Sequence, residues 1–462
     1  MSYPDNKNSK QPSQTNQHSQ LKKANVKMAL SLAAGALLGT GVIVNDAKAE
    51  VLKDWQFESA FLFYSEGERV TAAELIVSGN KTFANDEILN LKLTIDSLTG
   101  ASANGAVVQA QAQTFTRPSG EGQYITPAGE TPLDDTFKDT RVQLNAQWTQ
   151  PLAENYTASI GGHFSKEFDY LSLGVNGNLA VDFYKKNSTI SLGLSHFQDT
   201  FTPMGGIPKP YAEMLIGDSS SVSWDEEFAK TRIGSSEKKV TSDVLLGFTQ
   251  VINRRMITQF NYSYSMVRGY LTDPFKIVSV LDQQGTVQDY IYEYRPDERN
   301  KQSTFAQAKY HFDQNLLNSV LDISYRYMWD DWQIKSHTLD STLYMPLSSR
   351  FGKQSYLQPH IRYYQQSAAE FYRPYTFSGQ ESHASPEENY ISADYRIGEM
   401  DAVTLGVKYG FSLNNGNDFS VRLEYYRQMP SNAGFDEPSE LSNLTVYPVV
   451  QAVIFQLSYS FL

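Results

Sequence analysis

The sequence predicts an all-β fold: a transmembrane antiparallel barrel of about 16 strands, roughly 14 to 18, with long outer loops and short periplasmic turns. Three observations predict it: an aromatic closing strand, alternation along the whole chain, and connections that alternate between short and long. At the chain's end Val453, Phe455, Leu457, Tyr459 and Phe461 alternate with Ala452, Ile454, Gln456, Ser458 and Ser460. A period of two sorts the sets onto opposite sheet faces. Outer-membrane barrels usually end on such a strand, which the barrel-assembly machinery reads. Tyr459 and Phe461 are the expected contacts, although Leu462 follows the aromatic terminus.

The same alternation recurs upstream. Val142, Leu144, Ala146 and Trp148 oppose Arg141, Gln143, Asn145 and Gln147, while Leu321, Ile323, Tyr325, Tyr327 and Trp329 oppose Asp322, Ser324 and Arg326. Such stretches match the ~9–11 residues that a tilted membrane strand needs. Strands are expected near 54–65, 69–79, 87–97, 138–150, 155–166, 169–184, 188–199 and 239–251. The remainder fall near 255–268, 303–313, 317–329, 332–345, 353–366, 401–413, 417–429 and 447–462. The weakly alternating 388–397 stays in a loop, because another strand would break the even count that two periplasmic termini require. Long polar segments at 98–137, 200–238, 269–302, 367–400 and 430–446 are expected outside, with compact turns such as Lys185-Lys186-Asn187 in the periplasm. A secreted sandwich or propeller would alternate too. No repeat of fixed period supports a propeller.

Residues 1–49 read as a signal peptide with a polar prefix, leaving 50–462 as one barrel domain. Lys22, Lys23 and Lys27 precede an apolar run from Met28 to Val44, and Ala47 and Ala49 mark the cleavage positions. Removal leaves 33 Lys and Arg against 49 Asp and Glu, a charge near −16. That acidity argues against nucleic-acid partners. The absence of cysteine excludes disulfides, cysteine-ligated clusters and covalent haem, and no cofactor is expected. Mean hydropathy is −0.43, as expected where only alternate residues meet lipid. The expected location is the Gram-negative outer membrane, among its lipid and lipopolysaccharide.

Asp96 to Gly105, Gly269 to Lys276 and Ser324 to Trp332, with Tyr64-Ser-Glu, Arg295-Pro-Asp297 and Arg362-Tyr-Tyr364, carry a resemblance. They are similar to the signature blocks of a proteobacterial outer-membrane barrel family, domain of unknown function 3570. The resemblance covers nearly all of the mature chain and implies a barrel of unknown activity. The family's gene neighbours, a flavin transferase and a small lipoprotein, imply a periplasmic partner protein in an envelope redox system.

The expected lumen face carries Arg141, Asp322, Arg326, His360, Arg362, Arg422 and Glu424. Charges projecting into water set ion preference and size cutoff; the bland reading is that they pair and brace the wall. Loop candidates are Asp96, Thr99, Gly100, Asn104, Thr272, Asp273, Asp330 and Asp331, because residues at a barrel mouth form constrictions or ligand sites. Residues 200–210, rich in Pro and Gly, suit an inward plug or a rigid surface loop equally. Asp225-Glu226-Glu227 and Asp330-Asp331 have the oxygen donors calcium takes, but such clusters are more often solvated, and no metal site is assigned. Trp148, Tyr170, Phe183, Tyr270, Trp329, Trp332, Tyr363, Tyr364, Tyr425 and Tyr426 suit an interfacial girdle.

There is no G-x-S-x-G, H-E-x-x-H or P-loop pattern, and no enzyme is expected. Two functions stay open. One is a channel or pore for small solutes. The other is a non-conducting barrel acting as scaffold, receptor or export partner of an envelope redox or cofactor-handling system. The deciding feature is whether the long loops fold over the lumen.

Overall fold

Sixteen strands pair in chain order into one closed antiparallel barrel. The computed structural model describes residues 55–461, apart from 68, 135–137, 314–317, 348–353, 381–389 and 414–415. The expected leader, including Ala47 and Ala49, lies outside the described residues. The strands are β1 (Trp55–Ser65), β2 (Val70–Thr82), β3 (Ile88–Gly100), β4 (Lys138–Ala153), β5 (Tyr156–Lys166) and β6 (Tyr170–Phe183). Next come β7 (Ser188–Phe201), β8 (Glu237–Asn253), β9 (Met256–Gly269), β10 (Glu298–His311) and β11 (Val320–Asp330). The last five are β12 (Lys335–Leu347), β13 (Ser355–Gln366), β14 (Met400–Ser412), β15 (Asp418–Pro430) and β16 (Val450–Phe461).

Closure joins the first strand to the last, with Phe57 opposite Phe461 and Ser65 opposite Val453. No wall strand is left with an unpaired edge, which a lipid environment would penalise heavily. Cross-strand partners share a face, so register fixes the lining. Leu144, Leu173, Ile323, Leu405 and Leu423 point outward and are 41–52% exposed. Their in-strand neighbours, such as Gln143, Ser172 and Ser324, line the lumen. An exposed apolar belt on a closed wall is stable only in lipid. The protein is therefore an outer-membrane barrel.

Several strands run beyond the expected spans at the outer end. β10 begins at Glu298 rather than 303, and β3 continues to Gly100. Most of the extra residues are polar or glycine, so alternation of hydrophobicity fades although the hydrogen-bond ladder continues. Within 388–397 the described residues, from 390 on, form no wall strand but make isolated bridges and the short turn Tyr395–Ile397.

The five long outer loops fold into one body over the mouth. Its centre is loop 270–297, which bonds to each of the others. Ile277 N–H donates to Asn104 O at 2.8 Å, Met214 N–H to Tyr290 O at 2.8 Å, and Glu440 N–H to Gln284 O at 3.1 Å. Tyr294 and Ile391 exchange both backbone bonds, at 2.9 and 2.8 Å. Ile277–Leu281 pairs antiparallel with Val287–Tyr292 and parallel with Tyr375–Phe377. Apolar side chains from different loops are fully buried between them, including Phe115, Val278, Leu281 and Leu441. Each such burial contributes about 1.5–3 kcal/mol, the driving force for holding the loops together. Residues 200–210 enter this body: Ile207 is fully buried, and Arg232 Nε donates to Gly205 O at 2.8 Å. Gly105 has φ +99°, and a Cβ there would strike Ile277 O, so a side chain would push two loops apart.

The girdle expectation needs correcting at five residues. Trp332 is 5% exposed and packs on Phe371 inside the cap. Tyr270 also lies in the outer loop 270–297, not in the wall. Tyr170, Tyr364 and Tyr426 sit at lumen-facing positions. Aromatic type identifies neither face nor height. Register does.

Candidate functional site

Ion pairing in the cap concentrates at the junction of loops 270–297 and 367–399. Arg295, 8% exposed, contacts Glu293 at 2.6 Å through Nε and Asp394 at 2.8 Å through Nη2. The Nε contact is an ion pair without hydrogen-bond alignment. Asp394 also receives the Arg396 guanidinium, which reaches back to Asp273 at 2.5 Å. Glu293 accepts from Asp273 N–H at 2.7 Å and from Ser392 Oγ at 2.5 Å. Lys276 Nζ donates to Ala103 O on loop 101–137. Three cations and three carboxylates thus balance, with Arg295, Glu293 and Asp394 buried and the Arg396 side chain half-exposed. Burial alone would raise the Asp394 carboxyl, but Arg396 and Arg295 overrule it and hold it far below the ordinary range. Burial prevails at Glu293 and pushes its carboxyl up despite Arg295.

The junction is also anchored to the wall. Gln366, lumen-facing at the top of β13, donates to Arg396 O at 3.0 Å and to Gly398 O at 2.6 Å. On the far side Phe275 meets Phe201 of β7 edge to face at 6.1 Å. Arg69, between β1 and β2, lies over the Tyr395 ring at 5.7 Å. The cap therefore spans the mouth from wall to wall.

Between the cap and the β4–β8 side lies a chamber of about 680 Å³. Its wall side includes Tyr170, Asp199, Phe201 and Lys239; its cap side is the hook 270–276, with Asn104, Arg295 and Arg396. It runs from the exposed rim at Phe168, 71% accessible, to buried Arg295. Asp139, Glu167 and Asp169 stand together at the rim end, with carboxylate oxygens within 4.8 Å of one another. Asp139 Oδ1 accepts from Thr140 N–H at 2.7 Å. Burial first, then the hydrogen bond to and repulsion by Asp139, push the Glu167 carboxyl up to about 7. Burial and Asp139 raise Asp169 in the same sense.

Asn104, Thr272 and Asp273 line this chamber. Asp96, Thr99 and Gly100 do not: they belong to β3, because its ladder outlasts its apolar pattern. Asp96 binds Arg141 at 2.7 Å. Asp330 ends β11 and is committed to Arg299, whose Nε donates at 2.8 Å, while Asp331 accepts from Asn300 N–H at 2.9 Å. Asp225, Glu226 and Glu227 form the exposed first turn of the short helix Trp224–Lys230.

The lumen-face residues separate into braced and open ones. Asp322 accepts from Gln307 at 2.7 Å and meets Lys309 at 3.1 Å. His360 bridges Glu424 at 2.9 Å and Asp340 at 3.0 Å, with Arg422 3.7 Å from Glu424. Arg362 stands opposite Asp340 in register, and Arg326 lies over the Phe305 ring at 5.5 Å. Sequence reasoning placed no role on Glu293, Asp394 or Arg396. The block Arg295-Pro-Asp297 and the weak alternation at 388–397 were the signals there, but neither reveals that 99 residues of separation close to an ion pair.

Fold and site together define a capped sixteen-stranded barrel of the Gram-negative outer membrane. The chain belongs to the family described as protein of unknown function DUF3570, whose model matches residues 27–461. Comparison with curated proteins finds no match. Among solved structures the chain is similar to a bacterial polysaccharide outer membrane secretin, at 8% identity and TM-score 0.43, covering 88% of this chain and 98% of that one. It is also similar to BamA from Haemophilus ducreyi lacking POTRA domains 1-3, at 8% identity and TM-score 0.41, covering 88% and 70%. The FrpB iron transporter from Neisseria meningitidis aligns at 10% identity and TM-score 0.39, covering 89% and 83%.

Proposed function

We propose that this protein is a barrel closed at rest, acting as a receptor or export partner in the envelope rather than as a standing diffusion pore. The observation that carries the reading is the buried ion cluster that ties loops 270–297 and 367–399 across the mouth. A loop body with a partly buried, charge-balanced tie is strongly destabilised when one member is lost, so the tie holds the two loops in one arrangement. The chamber beside it offers a ligand site reachable from the rim, and the role is non-catalytic. The periplasmic partner implied by the family resemblance would act at the opposite end.

A small-solute channel remains the second reading, favoured by the polar lumen and by Arg326, which stacks on Phe305 with no carboxylate partner among the described residues. Barrels of about 16 strands are wide enough to hold water. Single-channel conductance of the refolded protein in a planar bilayer separates the two. Silence from inserted protein supports the closed barrel. Stable ion-selective steps from the unmodified protein overturn it.

A further inference from the structure

We infer that the mouth chamber binds a small organic cation, an alkylammonium or guanidinium solute, through Asp139, Glu167 and Asp169 together with the aromatic rings beside them. The inference rests on the receptor reading of the same chamber and names the ligand class it takes.

Charge pairing in the chamber selects the sign of the ligand. Most of its bases are already engaged: Lys239 lies 3.3 Å from Asp199, Arg295 holds Glu293 and Asp394, Arg396 holds Asp273 and Asp394, and buried Lys276 donates to Ala103 O. An anion at Lys239, Arg295 or Arg396 would compete with a carboxylate already in place. The rim carboxylates differ, since none of the three lies within ion-pair distance of a base among the described residues. Arg141 is committed to Asp96 and Glu74. Deeper in the same chamber Asp199, 7% exposed, gives Oδ2 to Tyr170 and Lys239 but leaves Oδ1 without a partner. The buried Tyr270 hydroxyl on the opposite wall is unpartnered as well. Among the described residues, carboxylates without a base at the rim and an unpaired carboxylate oxygen at Asp199 thus both face the cavity.

Shape and ring chemistry argue for an organic ion. Phe168 of the Glu167–Asp169 turn lines the chamber, and Tyr170, Phe201 and Phe275 form a contiguous run of rings in the same lining, 5.9 and 6.1 Å apart. Cations bind ring faces within about 6 Å, and the attraction grows as water is excluded. A calcium-like ion would instead need about six to eight oxygen ligands. A space of about 680 Å³ also suits a molecule rather than a single ion.

The test is calorimetric titration of the full mature barrel in lipid nanodiscs with putrescine, using succinate and calcium as comparison ligands. The expected result is saturable putrescine binding, with succinate inert. Glu167→Gln/Asp169→Asn should weaken it about tenfold or more, the loss of a charge-assisted bond. The boiled and unboiled double variant should still migrate differently on a detergent gel, showing an intact barrel. No putrescine binding by the unmodified protein overturns the inference, as does unchanged affinity in the folded double variant. Calcium binding with putrescine inert also overturns it. None of these outcomes depends on bilayer conductance, so the ligand class and the closed barrel fail separately.

Discussion

Replacing Arg295 with Met tests whether the ion cluster holds the cap shut. The substitution keeps most of the side-chain volume and removes the charge between Glu293 and Asp394, whose side chains are at most 1% exposed. Arg396 still serves Asp394, so the main casualty is Glu293, left buried with Ser392 Oγ and Asp273 N–H as partners. Removing one member of a buried pair costs about 3–5 kcal/mol. At about 1.4 kcal/mol per tenfold, cap opening becomes roughly a hundred to several thousand times more frequent. Hydrogen exchange of Tyr294 and Ile391, whose backbone bonds join the two loops, reads that opening directly. The wall amides of Phe57 and Phe461 serve as internal references, because they belong to the barrel closure. Bilayer recordings should show conductance steps in the variant that the unmodified protein lacks. Unchanged exchange at Tyr294 and Ile391 in a folded Arg295→Met barrel would refute the reasoning.

Four further outcomes are expected. Ile323→Arg places a charge against lipid and should cost about 2–4 kcal/mol, while Ser324→Arg on the lumen face should cost far less; urea unfolding in vesicles compares them, and equal cost would mean the strand phase is wrong. The unboiled protein should run differently from the boiled one on a detergent gel, and identical migration would contradict the barrel. Gly269→Val should lower outer-rim stability by about 1–3 kcal/mol, because φ is +110° and the new Cβ would meet Lys238 O; thermal melts read the loss. Glu167, raised to about 7, favours the fold below its ordinary range near 4.5, and that contribution disappears as pH rises through 7. Limited proteolysis of the outer loops should therefore quicken between pH 6 and pH 8, and Glu167→Gln should abolish the change.

The wall was legible because lipid imposes a rule on every second residue. Leu144, Ile323 and Leu405 carry that rule, and each expected strand has its counterpart in the barrel. Its outer ends were less legible: Glu298 to Lys301 extend β10 with four polar residues that read as loop. The cap was hidden for a different reason. Phe115, Val278 and Leu441 are as buried as any core residue, yet they lie on irregular backbone and meet across loops, so no period announces them. Asp273 was singled out from composition, whereas its partner Arg396 becomes visible only once the loops are folded.

Closure through Phe57 and Phe461 also orders events in time. The wall cannot shut until its last strand has arrived, and the cap draws its parts from loops between positions 101 and 449. Contacts so distant in the chain form slowly. Glu293 and Asp394 meet at one guanidinium only once the strands bearing their loops, β9–β10 and β13–β14, have taken their places in the wall with two strands between them. Until then two carboxylates and an arginine remain in water. The order of these two closures matters to the bilayer: a wall completed before its loops dock would leave the mouth open unless the insertion machinery covers it, whereas loops tied early would shut the mouth as the last strand arrives.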